Sequence, residues 1–176
     1  GVVIGLSGGL DSSVVCALSV AALGPNKVWG LIMPERDSDR ESEPDAKLLA
    51  KGLGIKTERV DLTPILEEMG IYGHIPKGFF AQKAVASAVV KKEYGLYTKI
   101  TGESPFLSGL KGTGSKVLKR ANAYYRMKHR LRMVLLYSRA ERQNLLVAGA
   151  ANKTEFLIGF FVKYGDSAAD IMPLLS

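Results

Sequence analysis

Cysteine is scarce in this sequence, and none of its hydrophobic runs is long. The single cysteine, Cys16, excludes an internal disulfide and a zinc site built from several cysteines. Its place within a helical pattern predicts a core residue rather than a nucleophile. No apolar run reaches the roughly 18 residues that a membrane helix needs. Strand-like residues begin at Gly1, so we expect no signal peptide, no membrane association and a cytoplasmic protein.

The composition still supplies a hydrophobic core. With 176 residues, of which 47% are hydrophobic, the chain suits one domain, and we predict a single domain over residues 1–176. Because the sequence has no initiator Met, this domain is compatible with a fragment of a longer protein.

Acidic residues are absent from residues 104–140, which contain nine Lys or Arg residues. The rest of the chain holds 15 basic and 17 acidic residues, so the net charge of +7 arises in this one stretch. A charge confined in this way indicates a local anionic ligand rather than a surface that binds nucleic acid throughout. We therefore consider nucleic acid an unlikely partner.

Short apolar runs alternate with helical patterns along the chain. The strands are predicted at residues 2–6, 28–33, 56–61 and 145–148, and the helices between them include residues 11–23, 79–94 and 122–144. Buried runs that alternate with helices predict an α/β fold, with a three-layer, doubly wound and mainly parallel sheet. Residues 95–121 are rich in Gly, Ser and Thr and only weakly periodic, which predicts a long basic loop and a mobile lid within it.

A glycine- and serine-rich turn joins the first strand to the first helix. Glycines allow backbone amides to approach a phosphate, and the amides of a helix N-terminus point toward an anion. Asp11 would repel phosphate unless a cation lay between them, so its presence indicates Mg²⁺. The residues of this predicted phosphate-binding segment are Gly5, Leu6, Ser7, Gly8, Gly9, Leu10, Asp11 and Ser12.

This turn resembles the Ser-Gly-Gly-x-Asp-Ser loop of the N-type ATP pyrophosphatases, which have the adenine nucleotide α-hydrolase-like fold. Those enzymes cleave ATP between the α- and β-phosphates and adenylate an oxygen of the acceptor. Relatives that thiolate tRNA use catalytic cysteines, and relatives that make deazapurine nitriles bind zinc through several cysteines. One cysteine serves neither pattern.

The second half of the chain resembles the NAD synthetases. The matching segments are Arg-Leu-Arg-Met from Arg130, Ala-Gly-Ala-Ala-Asn-Lys-Thr-Glu from Ala148, and Gly-Phe-Phe-Val-Lys-Tyr-Gly-Asp from Gly159. The resemblance implies amidation of nicotinate adenine dinucleotide with ammonia, by way of an adenylate, with release of AMP and pyrophosphate. It implies a homodimer and no nucleophilic side chain.

The same resemblance assigns roles to individual residues. Asp11 and Glu155 would be the Mg²⁺ ligands, and Arg130, Lys163 and Asp170 would contact the dinucleotide. Ala150 would lie against ATP at a position where the family usually has Thr, and Arg126 and Val162 also depart from the usual Asn and Thr. Because Arg130 and Arg132 are two residues apart on a helix, only one is expected to face the ligand, and we favour Arg130.

Two other functions remain open from the sequence. One is a different ATP pyrophosphatase that transfers an amide or a sulfur atom. The other is a nucleotide- or RNA-binding module without catalysis, in which the basic stretch would bind the ligand.

Overall fold

The computed structural model describes residues 1–74, 95, 97–100, 102–113 and 116–175. These residues form two compact units, of which the first comprises Gly1–Pro64 with Lys128–Ser176 and the second Ile65–Met127. Each is described by itself below. The predicted helix over residues 79–94 lies outside the described residues, and the single domain stays a prediction.

A four-stranded parallel sheet forms the centre of the first unit. Its strands are β1 (Val2–Leu6), β2 (Val28–Ile32), β3 (Lys56–Arg59) and β4 (Leu146–Ala148), in the order β3-β2-β1-β4. The central strand β1 pairs Val2 with Val28 on one side and with Leu146 on the other. The predicted parallel α/β fold is therefore confirmed, with strand limits within two residues of those expected.

Helices lie on both faces of this sheet. Within the described residues, the α-helices are α1 (Leu10–Leu23), α2 (Ser42–Leu53), α3 (Thr63–Glu68), α4 (Pro105–Lys111), α5 (Lys116–Gln143) and α6 (Lys153–Ile158). Of these, α1, α2, α6 and the part of α5 from Lys128 belong to the first unit, and α4 belongs to the second. On one face, Ile4 packs in a buried cluster with Val15 and Cys16 of α1 and with Ala50 of α2. The cluster includes Cys16, whose side chain is fully buried, as the sequence predicted.

The opposite face of the sheet is covered by the part of α5 that belongs to the first unit. A Cβ on Gly5 would lie 3.2 Å from the Met33 Cε and 3.6 Å from the Leu136 Cδ1, so glycine lets this helix approach the central strand. Further along α5, the Arg139 guanidinium lies 4.4 Å from the centre of the Trp29 ring and forms an ion pair with Glu58. Two layers of helix with a sheet between them give the expected three-layer arrangement.

The predicted long loop over residues 95–121 is wrong. The second unit contains α4 within this range, and α5 begins at Lys116, six residues earlier than expected. The physical signals for α4 are local: the Ser104 Oγ accepts a hydrogen bond from the Leu107 N–H at 3.3 Å, Pro105 occupies the first turn, and Gly112 ends the helix at φ 70°. A helix of seven residues is too short for periodicity to reveal it.

Polar contacts organise the second unit. The Glu103 carboxylate accepts hydrogen bonds from the Ser108 hydroxyl at 2.7 Å and from the Lys111 ammonium. The Arg126 guanidinium donates to the Gly109 carbonyl at 3.4 Å, so this departure from the family pattern has a contact within the second unit. Among the helices that the structure describes, none has both the length and the apolar character needed to span a membrane.

Candidate functional site

A cavity of about 680 Å³ opens at the carboxyl ends of β1, β2 and β4, and its lining residues all belong to the first unit. Ligands of open parallel sheets bind at this edge, where the strands end and loops begin. The predicted site residues on its wall are Gly5, Leu6, Ser7, Gly9, Leu10, Asp11, Ser12, Ala150 and Glu155. Two chain segments that are distant in sequence, residues 5–12 and 150–155, therefore meet where the phosphate loop was predicted.

Hydroxyl groups fix the shape of the turn after β1. The Ser7 and Ser12 Oγ atoms are 3.0 Å apart, and the Gly9 N–H donates to the Ser7 Oγ at 3.2 Å. The Ser13 hydroxyl donates to the Gly9 carbonyl at 2.8 Å. Gly9 is the N-cap of α1 and has no side chain that could cap the helix. The first backbone amides of α1 are therefore available to a ligand. The turn thus has the preorganised amides of an anion site.

Gly8 does not line the cavity but determines how the turn packs. Its φ is 76°, and a Cβ there would lie 2.6 Å from the Ser42 carbonyl oxygen at the start of α2. Both the backbone conformation and the close contact require glycine. Gly8 therefore positions the residues that do face the cavity.

Asn152 contacts both predicted metal ligands. Its side-chain amide donates to the Asp11 Oδ2 at 3.4 Å, and its backbone N–H donates to the Glu155 Oε2 at 3.2 Å. The Asn152 Oδ1 in turn accepts from the Glu155 N–H at 2.9 Å, which completes a capping box at the start of α6. The cap of one helix thus places two carboxylates from distant segments in one cavity.

The donor set suits Mg²⁺. This ion binds through oxygen, and in nucleotide sites it uses one or two carboxylates together with phosphate oxygens and water. Within the described part of the chain, no group of three or more His, Cys, Asp or Glu side chains forms a ready metal site. Asp11 and Glu155 therefore fit a magnesium ion that arrives with a phosphate ligand.

Helix α5 supplies the opposite wall through His129, Arg132, Met133 and Leu136. These positions are spaced as i, i+3, i+4 and i+7 and so share one helix face. The Arg132 Nη2 is 3.5 Å from the Met33 carbonyl oxygen. The sequence interpretation favoured Arg130 as the ligand-facing arginine, whereas Arg132 is the one that lines this cavity. The helical spacing from Met133 and Leu136 was the signal that could have identified it.

The three predicted dinucleotide contacts lie outside the cavity wall. The Arg130 Nε donates to the Lys163 carbonyl at 3.1 Å, so these two residues are brought together. The Asp170 carboxylate accepts from the Tyr137 hydroxyl at 2.9 Å and from the Val147 N–H at 2.8 Å, and it thereby attaches the chain after α6 to β4. Their assignment to the dinucleotide stays a prediction.

A buried ion pair lies beside the cavity and was not predicted. The Lys128 Nζ is 2.9 Å from the Glu35 Oε1, and the two side chains are 11% and 3% exposed. Burial lowers the pKa of Lys128, and the hydrogen bond that its ammonium donates to the Glu35 carboxylate opposes that shift. No sequence pattern relates Glu35 to Lys128, because they are 93 residues apart and meet only through the packing of α5 on the sheet.

The parallel sheet between two layers of helix defines the class of the protein, an α/β protein with the adenine nucleotide α-hydrolase-like fold. A model of the NAD synthase family matches residues 1–78 and 104–176. The chain belongs to the NAD synthase family.

Individual relatives agree with this assignment. The chain is 43% identical over 175 residues to an NH(3)-dependent NAD(+) synthetase of Thermotoga neapolitana, covering 99% of the chain and 59% of the relative. It is 37% identical over 174 residues to one of Methanocaldococcus jannaschii, covering 99% of the chain and 52% of the relative. The chain thus spans between half and about three fifths of the length of these curated relatives.

Solved structures also resemble the chain. An NH3-dependent NAD synthetase from Campylobacter jejuni is 28% identical with a TM-score of 0.66, and the match covers 100% of this chain and 58% of that one. An NMN synthetase from Francisella tularensis is 27% identical with a TM-score of 0.65, and the match covers 100% of this chain and 56% of that one.

Proposed function

We propose that this chain is the ATP-binding part of an ammonia-dependent NAD synthetase. In this reaction ATP adenylates the nicotinate carboxylate of nicotinate adenine dinucleotide, pyrophosphate leaves, and ammonia displaces AMP to give NAD. The observation that carries the proposal is the meeting of the Ser7–Gly9 turn with Asp11 and Glu155 in one cavity. The relatives are named NH(3)-dependent NAD(+) synthetases, which supports ammonia as the nitrogen source and NAD as the product.

The turn and the first amides of α1 would bind the phosphates of ATP. Anions are stabilised there by the helix dipole and by N–H groups that need no reorganisation during the reaction. Asp11 and Glu155 would hold Mg²⁺, which supplies positive charge to the departing pyrophosphate. The small side chain of Ala150 leaves room on the β4 side of the cavity, where the family usually has a hydroxyl donor.

Arg132 would complete the charge balance from the opposite wall. Its guanidinium suits phosphate better than an ammonium does, because its donors are arranged in a fixed fork. The chain's contribution is thus to hold ATP and the acceptor carboxylate together and to stabilise negative charge, with no covalent enzyme intermediate.

We also propose a cytoplasmic homodimer, for which size-exclusion chromatography with light scattering is the test of assembly.

The proposal is tested with the full-length protein, ATP, Mg²⁺, an ammonium salt and nicotinate adenine dinucleotide. NAD, AMP and pyrophosphate should form in equal amounts, and the corresponding mononucleotide serves as the competing acceptor. Asp11→Asn and Glu155→Gln should each lower pyrophosphate release by several orders of magnitude, because each removes a carboxylate from the phosphate site.

The matched control is Glu141→Gln, which removes an exposed carboxylate from α5 outside the cavity. It should leave the rate unchanged. Glu155→Gln retains the side-chain acceptor of the capping box, so its unfolding temperature should stay close to that of the wild type. Near-normal pyrophosphate release in both variants would contradict the metal assignment.

A further inference from the structure

His129 and Asp166 form a histidine–carboxylate pair on the cavity wall. The His129 Nδ1 lies 3.9 Å from the Asp166 Oδ1, and the two side chains are 25% and 30% exposed. Both residues line the cavity that contains the Ser7–Gly9 turn, the proposed phosphate site, which is called the phosphate turn below. They come from α5 and from the chain after α6, so the fold, and not a local turn, brings them together.

The pair is held in place from the carboxylate side. The Asp166 Oδ1 accepts a hydrogen bond from the Val162 N–H at 2.7 Å, and a short 3-10 turn begins at Asp166. A Cβ on Gly165 would lie 3.0 Å from the His129 Cβ, so this backbone is closely packed against α5. The position of the carboxylate therefore does not depend on the protonation of the imidazole.

The charges around His129 favour its neutral form. Burial lowers the pKa of His129, and the neighbouring cations Arg132 and Lys128 lower it further, while Asp166 raises it. Glu35 forms an ion pair with Lys128 and reduces that cation's effect. The lowered pKa favours the neutral imidazole, and the carboxylate is placed to stabilise the imidazolium once a proton arrives.

We propose that His129 is the proton acceptor for the amide-transfer half of the proposed reaction. The role rests on the proposed function. As the lone pair of ammonia forms the new C–N bond, the nitrogen must lose one proton, which passes to the His129 imidazole. The bond between the acyl carbon and the AMP oxygen breaks, and AMP leaves with that electron pair. The imidazolium then releases its proton to water.

The other ionisable groups of the described cavity wall suit this role less well. Asp11 and Glu155 contact Asn152 on the phosphate side. Glu35 forms an ion pair with Lys128, and Glu43 forms ion pairs with Lys47 and Arg59. The Asp39 carboxylate accepts a hydrogen bond from the Glu41 N–H. Histidine is the side chain whose ordinary pKa lies near neutrality, which is the condition for efficient general base catalysis.

The experiment separates the two half-reactions in the full-length protein. Adenylation is measured as exchange of labelled pyrophosphate into ATP, with the deamido dinucleotide present and ammonia absent. Amide transfer is measured as NAD formation, normalised to the free ammonia concentration at each pH. His129→Gln should keep exchange within about threefold and lower amide transfer by about 10²-fold or more, the usual contribution of a general base. In the wild type, the amide-transfer rate should fall at low pH as His129 becomes protonated. This acid limb of the pH profile should be absent from His129→Gln.

Asp166→Asn is the second variant, since its amide oxygen can still accept from the Val162 N–H. Loss of the carboxylate should move the acid limb to lower pH, because the imidazolium loses its stabilising charge. Glu141→Gln, on the exposed side of α5, is the control and should leave both half-reactions and the pH profile unchanged.

Amide transfer that is unchanged in His129→Gln would overturn the role. An equal loss of exchange and amide transfer would also overturn it, because the residue would then act in binding or folding. An acid limb that does not move in Asp166→Asn would overturn the part assigned to the carboxylate. If the wild type shows no pyrophosphate exchange, the proposed function itself is contradicted, and the role of His129 falls with it.

Discussion

At the scale of single residues, the site depends on glycines that admit a close approach. Gly5 admits α5 to the central strand, and Gly8 admits the start of α2 to the phosphate turn. The two glycines are required for different reasons. At Gly5 a larger residue is excluded by contacts alone, whereas Gly8 also has a backbone conformation that other residues rarely adopt.

Replacement of Gly8 by alanine should destabilise the protein and weaken ATP binding. The left-handed backbone alone costs about 1–2 kcal/mol for a residue with a Cβ, and the contact with the Ser42 carbonyl oxygen at 2.6 Å adds to this cost. Chemical denaturation and ATP titration calorimetry measure the two effects.

The control is Gly52→Ala within α2, where a Cβ would meet nothing within 4 Å. It should raise stability by up to about 1 kcal/mol, because alanine is the better helix former. Equal stability of the two variants would show that the turn does not pack against α2 as described.

At the scale of elements, a short helix connects to the phosphate site through its cap. Helix α6 has six residues, and its capping box places Glu155 one turn into the helix and the Asn152 amide against Asp11. The start of α6 and the proposed metal ligand Glu155 therefore belong to one local structure.

Asn152→Ala should lower the free energy of unfolding by about 1 kcal/mol through loss of the cap, and should also raise the KM for ATP. Asn152→Ser separates the two roles, since its hydroxyl can cap the helix but is too short to replace the amide donor to Asp11. We expect the serine variant to regain stability and not ATP affinity. If it regains both, the contact with Asp11 contributes nothing to binding.

At the scale of the whole molecule, the first unit is assembled from two separate parts of the chain, Gly1–Pro64 and Lys128–Ser176. The ion pairs of Lys128 with Glu35 and of Arg139 with Glu58 join these parts. Hence the positive charge of residues 104–140 does not serve one ligand. Some of it is neutralised within the fold, and Arg132 reaches the cavity.

Lys128→Met should lower the free energy of unfolding by about 3 kcal/mol or more, because it leaves the buried Glu35 without this cation. The double variant Glu35→Gln with Lys128→Met should recover most of the loss. Lys47→Met, which breaks the more exposed ion pair with Glu43, should cost less than about 1 kcal/mol. Urea unfolding of the four proteins provides the comparison, and equal losses in the two single lysine variants would contradict the importance of burial.

Sequence reasoning succeeded where the signal was local. An apolar run followed by glycines and serines identified β1 and its turn. Sequence reasoning missed α4, although its cap residues Ser104 and Gly112 are visible in the sequence, because seven residues are too few to show a helical period. The choice between Arg130 and Arg132 required the spacing along α5 to be followed to Leu136. The pairs His129–Asp166 and Glu35–Lys128 depend on packing between distant segments, which no local pattern reports.

The position of β1 between β2 and β4 has a consequence for how the protein is made. Residues that form β1, β2 and β3 leave the ribosome first, and parallel pairing of β1 with β4 must wait until Leu146 is available. Such a distant contact closes a long loop and slows folding. During synthesis the turn after β1 therefore leaves the ribosome before the cavity residues of α5 and β4, and ATP binding to the growing chain would report the arrival of β4 rather than the formation of β1.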